Sequence, residues 1–352
     1  MITLNGRFLT QPLTGVQRYA REITSALDAL TARGEAPALT LCAPPGAAGL
    51  EGFAHLAPRA IGTRGGQFWE QWTLPRAAEG LVLSLGNTGP LLAGARQAVV
   101  IHDAGVFDTP ESYGWKFRLW YRLLQRGLVA RGARILSVSE FSAGRIAHHL
   151  GLPRAAIGVT LEGGEHILRA PADAAVLGRH GLTPGRYALA VGTGAAHKNL
   201  AALEAAQGAL GAAGIGLAVV GAKDAKVFRT DGSATGGVTA LGRVSDAELR
   251  ALYEHAFCLV FPSRYEGFGL PPVEAMWCGC PVVAARAGAV PEVCGEAALW
   301  FDAEDPATLA TALAALAANP SRRAALAAAG RARAEHFSWE AAARRLLGFV
   351  TP

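Results

Sequence analysis

Residues 258–285 have the sequence CLVFPSRYEGFGLPPVEAMWCGCPVVAA, and the pattern of this stretch indicates the fold class most clearly. It begins with a short apolar run (residues 258–261), continues through a glycine-rich loop, and reaches a proline pair, Pro271-Pro272. Proline is tolerated at the start of a helix, where its missing N–H would be unpaired anyway. A second apolar run follows at residues 281–284. Strand, loop, helix and strand in this order predict one repeat of a parallel α/β sheet.

The same alternation extends along the chain in both directions. Short apolar runs predict strands at residues 2–4, 39–42, 81–85, 98–101, 135–138, 157–160, 187–191 and 216–220. Helix-compatible segments lie at residues 15–30, 113–130, 199–210, 246–255 and 272–277, and the alanine-rich segment 306–335 is also a strong helix former. The pattern restarts near Tyr187, after a linker at residues 169–186. We therefore predict an α/β fold with two doubly wound domains, residues 1–168 and 169–337, facing a deep cleft.

Composition excludes several classes of protein. The chain has 352 residues, of which 51% are apolar and 17% are charged, and this excludes a disordered chain. No uninterrupted run of about 20 apolar residues is present. The net charge of +5 suits an anionic small ligand, an acidic membrane surface or nucleic acid alike. The odd count of five cysteines, without a signal peptide, indicates free thiols and a protein of the cytoplasm. The inner face of the membrane is included in this expected location.

The glycine-rich loop is the strongest candidate for a binding site. Its backbone N–H groups, from Gly267, Phe268, Gly269 and Leu270, lie beside a predicted helix N-terminus, which favours phosphate or a polyhydroxylated ligand. Two carboxylates flank the loop, Glu266 before it and Glu274 in the predicted first turn of the helix. Alternatively, Glu274 only stabilises the helix dipole and Glu266 is solvated.

A second loop, VGTGAAHKN at residues 191–199, also connects a strand to a helix. Gly192 and Gly194 begin a dinucleotide-binding pattern, and Asp224 follows the next strand, so a nicotinamide-dependent oxidoreductase remains an alternative. However, His197 occupies the third glycine position, where close packing disfavours a large side chain. Lys198 instead supplies a point charge for a diphosphate.

His102 and Asp103 follow a predicted strand, at the sheet edge where ligands bind in parallel α/β folds. Such a pair can also satisfy neighbouring backbone groups, and both interpretations stay open at this point. The other histidines, including His148 and His149, are expected on helix surfaces.

Residues 266–285 resemble the signature of glycosyltransferase family 4, whose members have the GT-B fold and retain anomeric configuration. The resemblance implies that Glu274 holds the nucleotide ribose, that Glu266 lies near the donor sugar, and that the loop amides contact sugar and phosphate. Segment 14–23 resembles the family's N-terminal glycine loop, which implies that Gly15 approaches the donor phosphates. Segment 100–111 resembles its His-Asp segment, which implies that His102 bonds the donor sugar and that Asp103 positions hydroxyls.

Further segments extend the resemblance. Segment 137–146 resembles a strand-to-helix junction of the family, and segment 241–256 resembles the stretch that lines the nucleobase pocket, which implicates Arg243 and Val244. Segment 336–346 resembles the closing segment that returns to the first domain, so residues 338–352 are expected to pack there. Many members carry arginine where Thr193 or His197 stands; Arg264 or Arg243 is the alternative partner for the diphosphate.

Residues 192–199 resemble a mannosyltransferase-like subgroup with the pattern G-T-x-x-x-[basic]-K-N, in which Thr193 belongs to the donor site. The implied activity is transfer of a hexose from a nucleotide-diphosphate sugar, with GDP-mannose favoured, to a saccharide or lipid-linked acceptor in polysaccharide biosynthesis. Rhamnosyl or glucosyl transfer from a dTDP or UDP donor is the alternative. A non-catalytic subunit that binds nucleotide sugars is another.

Two expectations complete the sequence-based interpretation. No D-x-D pair is present, so we expect no metal and no cofactor, and no motif supports nucleic-acid binding. Segment 115–126, WKFRLWYRLLQR, mixes aromatic and basic residues in a helix. It suits contact with an anionic membrane, or alternatively a helix that packs in the core.

Overall fold

The computed structural model describes residues 1–221 and 238–351. The chain divides into two compact units, which are described separately. Unit 1 comprises Met1–Gly163 together with Trp339–Pro352, and unit 2 comprises Gly164–Ser338. The sequence predicts the boundary between the two domains after residue 168, and the structure divides the chain after Gly163.

Unit 1 is built on a seven-stranded sheet in which every pair of neighbours is parallel. Its strands are β1 (Ile2–Asn5), β2 (Leu39–Ala43), β3 (Arg59–Ala60), β4 (Leu81–Ser84), β5 (Gln97–Val100), β6 (Arg134–Ser137) and β7 (Ile157–Val159). Their order is β3-β2-β1-β4-β5-β6-β7. The chain winds outward from β1 to β3 and then restarts at β4 on the other side of β1. The order therefore reverses between β1 and β4.

Helices cover the sheet of unit 1. They are α1 (Gly15–Ala32), α2 (Gly66–Phe68), α3 (Leu74–Ala77), α4 (Gly105–Asp108), α5 (Trp115–Ala130), α6 (Glu140–Leu150) and α14 (Trp339–Val350). The last of these follows unit 2 in the chain but packs against α1. Trp339 is fully enclosed there, with its ring 6.0 Å from that of Tyr19.

Unit 2 repeats the architecture with a six-stranded, all-parallel sheet. Its strands are β8 (Tyr187–Val191), β9 (Gly216–Val220), β10 (Val238–Gly242), β11 (Cys258–Phe261), β12 (Val282–Ala285) and β13 (Ala298–Phe301). The order is β10-β9-β8-β11-β12-β13, so it reverses between β8 and β11. Strands β11 and β12 are buried throughout, as expected for a sheet covered on both faces.

The helices of unit 2 are α7 (Ala175–Arg179), α8 (Ala202–Ala212), α9 (Asp246–His255), α10 (Leu270–Trp277), α11 (Val290–Cys294), α12 (Pro306–Ala317) and α13 (Pro320–Ala334). The alanine-rich segment 306–335 forms two helices and not one, because a new helix begins at Pro320. The side chain of Asn319 caps its start by accepting from the Arg322 N–H. Helix α9 begins with a reciprocal capping box between Ser245 and Glu248.

The structure confirms the predicted fold class, and two features differ from expectation. Each predicted strand overlaps an observed one, but β3, β10 and β13 were not predicted. Helix α10 begins at Leu270, one residue before the proline pair, so Glu274 lies in its second turn and not in the first. The five cysteines are free and buried. Within residues 1–221 and 238–351, the helices are too short or too polar to cross a membrane.

Candidate functional site

The candidate site lies in unit 2, at the point where the strand order reverses. In open α/β sheets, ligands bind at this position because the loops after the two neighbouring strands diverge there and leave a crevice. The loop at residues 192–199 follows β8, and the loop at residues 262–269 follows β11. The backbone N–H of Arg264 donates to the carbonyl of His197 at 2.8 Å, so the two loops are joined directly.

An ion pair connects the side chains of these loops. Lys198 Nζ lies 2.7 Å from Glu266 Oε1, and the two side chains are 20% and 12% exposed. A half-buried pair of this kind is desolvated more than a surface pair, which strengthens the attraction between its charges. Because the Lys198 ammonium has three donors, it can contact an incoming phosphate as well as Glu266. The structure thus brings together two of the residues predicted from sequence.

Two glycines set the path of the loop that carries Glu266. Gly288 has φ +59°, and a Cβ at this position would lie 2.7 Å from the backbone nitrogen of Glu266. The neighbouring N–H of Ala289 donates to the Glu266 carbonyl at 3.1 Å. Gly269 has φ +105°, a backbone conformation that side-chain-bearing residues rarely adopt. Sequence reasoning did not single out Gly288. Because it lacks a Cβ, its backbone can approach that of Glu266 closely enough for the Ala289 hydrogen bond to form.

The same loop presents backbone donors at the start of α10. Phe268 is buried, with its ring 5.6 Å from that of Phe337, and it anchors the loop. Within the described part of the chain, the N–H groups of Phe268, Gly269 and Leu270 donate to no hydrogen bond. Pro271 contributes no N–H at all. Unpaired donors at the positive end of a helix favour an anionic or polyhydroxylated ligand.

Glu274 lies against two side chains that sequence reasoning missed, Tyr253 and His166. Its carboxylate is buried; Oε2 accepts from the Tyr253 hydroxyl at 3.0 Å, and Oε1 lies 3.1 Å from His166 Nε2. Burial, followed by the Glu274 charge, raises the pKa of Tyr253 well above its usual value, so the hydroxyl stays a donor. His166 is only 3% exposed, so its expected position on a helix surface was wrong.

His102 is enclosed within unit 1. Its Nε2 lies 3.0 Å from the Leu85 carbonyl, its Nδ1 lies 3.4 Å from Glu162 Oε1, and its ring meets the edge of Tyr19. Both ring nitrogens thus face oxygen atoms of the same unit. The predicted contact with a donor sugar stays a prediction, and in that contact one ring nitrogen must exchange its present partner.

The remaining predicted residues of unit 1 occupy loop and helix starts. Asp103 Oδ1 accepts from the Gly105 N–H at 2.7 Å, which starts α4. Gly15 is the first residue of α1, and a Cβ added there would meet no atom within 4 Å. The space beside Gly15 is therefore open. His149, which was expected on a helix surface, lies in α6 with its Nε2 2.7 Å from Asp108 Oδ1 and its ring stacked on Phe107.

The other predicted residues of unit 2 lie in loops that follow its strands. Thr193 is exposed in the first loop, and Arg243 and Val244 follow β10 at the sheet edge. Arg264 pairs with Glu304 at 2.7 Å in an exposed position. Asp224, the acidic residue of the oxidoreductase alternative, lies outside the described residues. Across residues 1–221 and 238–351, no group of three or more His, Cys, Asp or Glu side chains is placed to hold a metal ion.

Two doubly wound parallel sheets, each with polar loops at its reversal point, place the chain in the GT-B class of folds. Comparison with known proteins agrees. Residues 185–319 match the family model described as "Glycosyl transferases group 1". Over 98% of its length the chain superposes on 97% of an Anabaena protein, Alr3699/HepE, solved with UDP and glucose, with a TM-score of 0.73 and 17% identity.

Two relatives align over longer stretches of sequence. The chain is 34% identical to O-antigen chain mannosyltransferase B of Escherichia coli over 258 residues, covering 70% of this chain and 67% of the relative. It is 29% identical to the O-antigen chain mannosyltransferase RfbU of Salmonella typhimurium over 232 residues, covering 64% of this chain and 61% of that one. The chain belongs to the group 1 glycosyltransferases, which confirms the family resemblance stated above.

Proposed function

We propose that this protein transfers a hexose from a nucleoside-diphosphate sugar to a hydroxyl of a saccharide or lipid-linked glycan acceptor, in polysaccharide biosynthesis. The observation that carries the proposal is the set of groups at the reversal point of unit 2. The loops after β8 and β11 and the helix α10 offer a cation (Lys198), two carboxylates (Glu266 and Glu274) and unpaired backbone donors there. The cation and the N–H groups suit a diphosphate, and carboxylates suit sugar hydroxyls.

In the proposed reaction, the bond between C1 of the hexose and the diphosphate oxygen breaks, and a bond from C1 to the acceptor oxygen forms. The acceptor proton passes to the departing phosphate, whose negative charge Lys198 and the loop N–H groups stabilise. We assign retention of anomeric configuration, with attack on the face that the leaving group occupies. Neither a metal nor a cofactor has a part in this scheme, since the residues that stabilise the phosphate are already present.

GDP-mannose is the proposed donor. Its support is the subgroup pattern at residues 192–199 and the similarity to the Escherichia coli and Salmonella relatives, which are named as mannosyltransferases. A UDP or dTDP sugar is the second candidate, favoured by the UDP and glucose bound to the Anabaena protein of like fold.

A thermal-shift panel distinguishes these donors, because at equal concentrations a ligand that binds only the folded state raises the unfolding midpoint more the more tightly it binds. The panel contains GDP-mannose, UDP-glucose and dTDP-rhamnose at equal concentrations, each with and without EDTA. We expect the largest shift with GDP-mannose and no effect of EDTA on the size of that shift. A larger shift with another sugar reassigns the donor, and no shift with any of the three contradicts the proposal.

We also propose that α5 rests on an anionic membrane, which suits a lipid-linked acceptor and a location at the cytoplasmic face. The helix packs in the core through Leu124 and Leu128, as the core-packing alternative expects. On its other side, Trp115, Leu119 and Leu123 are 65%, 51% and 57% exposed, and this apolar surface supports the membrane proposal. The exposed Lys116 and Arg126 side chains add positive charge beside the apolar surface.

Vesicle sedimentation tests the membrane proposal. With vesicles of equal parts phosphatidylglycerol and phosphatidylcholine, we expect the protein to sediment at low salt and to be released at high salt. The double substitution Trp115→Ser and Leu119→Ser should abolish sedimentation, whereas Phe349→Ser, which removes an apolar side chain that is 45% exposed on α14, should not. Equal sedimentation of the double variant and the wild type contradicts the membrane contact.

A further inference from the structure

The reaction proposed above gives no role to Asn199, the last residue of the pattern at residues 192–199. Asn199 directly follows Lys198, at the end of the short helical turn Ala196–Lys198. Unlike Thr193 in the same loop, which is exposed, Asn199 is only 5% exposed. A buried amide is expected to have a specific hydrogen-bond partner, because an unpaired one is costly. The partners of Asn199 therefore indicate what this residue does.

The backbone of Asn199 has the left-handed conformation, with φ +51°. Among residues with a side chain, asparagine and aspartate adopt this conformation most readily. The Asn199 N–H donates to the Ala196 carbonyl at 3.1 Å, and the Asn199 carbonyl accepts from the N–H of Ala202, the first residue of α8, at 3.0 Å. Asn199 therefore ends the turn and sets the direction in which the chain leaves Lys198.

The side chain of Asn199 reaches a third loop of unit 2. Its Nδ2 donates to the Ala303 carbonyl at 3.2 Å, and this hydrogen bond is buried. Ala303 lies in the loop between β13 and α12, where the Glu304 N–H donates to the Asp302 carboxylate at 2.9 Å. The acceptor of the amide thus belongs to a loop with hydrogen bonds of its own. Asn199 ties the loop after β8 to this support.

Lys198 is consequently held on both sides along the chain. Before it, the His197 carbonyl accepts from the Arg264 N–H at 2.8 Å. After it, the Asn199 amide is bonded as described. The stem of Lys198 passes over Gly192, since a Cβ added at that glycine would lie 3.7 Å from Lys198 Cδ. The backbone and the stem together direct the ammonium to the ion pair at the reversal point.

Positioning matters for a lysine in particular. Its charge sits at the end of a flexible stem, and holding such a stem in one conformation costs entropy when a ligand binds. A loop that is already fixed lowers this cost and so raises the affinity for the ligand. Alternatively, Asn199 stabilises only the fold of the loop. The two interpretations differ in whether the loss of the amide affects the phosphate alone.

We propose that Asn199 is a positioning residue for Lys198, and that its left-handed backbone and its bond to the Ala303 carbonyl direct the ammonium toward the diphosphate. The proposal rests on the proposed function, in which Lys198 binds the diphosphate of the donor. It adds a residue that acts on the diphosphate only through Lys198. It also gives the loop between β13 and α12 a role in phosphate binding, as the support for this amide.

Calorimetric titration of the full chain with GDP and with guanosine tests the proposal. Asn199→Gly keeps the left-handed backbone accessible and removes the amide. We expect the dissociation constant for GDP to rise about three- to ten-fold, the range of one hydrogen bond's net contribution, and that for guanosine to stay unchanged. Asn319→Gly is the matched control, because it removes an asparagine that caps α13 in the same unit. It should keep both affinities.

A double-mutant cycle with Lys198→Met separates positioning from a merely structural role. If Asn199 acts through Lys198, Asn199→Gly has no further effect on GDP affinity once the lysine is replaced. A structural role predicts instead that the two effects add, and that guanosine affinity falls together with GDP affinity. The unfolding midpoint of each variant shows that it is folded.

Several outcomes overturn the proposal. They are a GDP affinity of Asn199→Gly equal to that of the wild type, additive effects in the cycle, and a parallel loss of guanosine affinity. If Asn199→Gly fails to fold, Asn199→Ala decides, with a GDP loss at least as large because alanine disfavours the left-handed backbone. Unchanged GDP affinity in Lys198→Met contradicts the proposed function itself, so the two failures are distinguishable.

Discussion

At the scale of single residues, the account depends most on Glu274, a buried carboxylate that already accepts from the Tyr253 hydroxyl. We predict that Glu274→Gln weakens GDP-mannose binding at least about ten-fold, because hydrogen bonds to a charged acceptor contribute about 1.5–3 kcal/mol. The amide oxygen still accepts from Tyr253, so the unfolding midpoint should stay close to that of the wild type. Calorimetric titration with thermal unfolding measures both.

The matched variant Glu274→Ala separates binding from folding. It should lose donor binding as the Gln variant does, and remain folded. It should also unfold more easily, because a buried Tyr253 hydroxyl without an acceptor costs about 1–3 kcal/mol. Normal donor affinity in either variant contradicts the ribose role of this carboxylate.

Lys198 is the second residue that carries a specific expectation, as the cation nearest the proposed diphosphate. We predict that Lys198→Met raises the dissociation constant for GDP about ten-fold or more and leaves that for guanosine unchanged, since guanosine has no phosphate. Arg323→Met is a suitable control, because it also removes one positive charge from unit 2, at a position where the guanidinium lies over the Phe257 ring. A parallel loss of GDP and guanosine affinity contradicts a phosphate role for Lys198.

At the scale of secondary-structure elements, the loop between β11 and α10 depends on Gly269, whose φ is +105°. An added Cβ would meet ordinary contacts only, the nearest atom being a Val290 methyl at 3.5 Å, so the cost of Gly269→Ala is one of backbone conformation. We predict a loss of about 1–2 kcal/mol in the free energy of unfolding, the cost of forcing such a conformation on alanine. Donor affinity should fall with it.

Urea denaturation of Gly269→Ala and Gly208→Ala measures this effect with a matched control. Gly208 lies in α8, where an added Cβ meets nothing within 4 Å and alanine is the better helix former. The control should therefore be as stable as the wild type or up to about 1 kcal/mol more stable. If the two variants have the same stability, the conformation of Gly269 does not determine the loop.

Strands and helices were predictable where one physical signal dominated. Apolar runs such as residues 258–261 and 281–284 predicted buried strands, and the helix-compatible segment 246–255 coincides with α9. Strand β3 was not predicted because it has only two residues, both exposed, and lacks an apolar run. Strand β13 has the sequence ALWF, whose alanine and leucine suit a helix equally well, so local sequence could not identify it.

The candidate site was predictable in part, for a related reason. Glu266, Lys198 and the loop glycines lie in strand-to-helix loops, and parallel topology alone brings such loops to one edge of a sheet. Tyr253, His166 and Gly288 reach the site from other segments through tertiary packing. No local spacing indicates such contacts.

At the scale of the whole molecule, the chain contains the same architecture twice, and each copy has polar groups at its reversal point. An ion pair stands at each of these points: Lys198 with Glu266 in unit 2, and Arg7 with Glu70 in unit 1. In unit 2, the loop that carries Glu266 also offers the unpaired N–H groups at the start of α10, and this combination suits a diphosphate. Because each pair is neutral, neither accounts for the net charge of +5.

The central claim is that this chain transfers a hexose with retention, and one measurement tests it most directly. Proton NMR follows the reaction of GDP-mannose with octyl α-D-mannopyranoside in the presence of the protein and EDTA. Parallel samples contain dTDP-rhamnose or UDP-glucose in place of GDP-mannose. We predict release of GDP together with a new α-linked anomeric signal. Release of no nucleotide from any of the three donors, or a product whose new linkage has the anomeric configuration opposite to that of the donor, would contradict the claim.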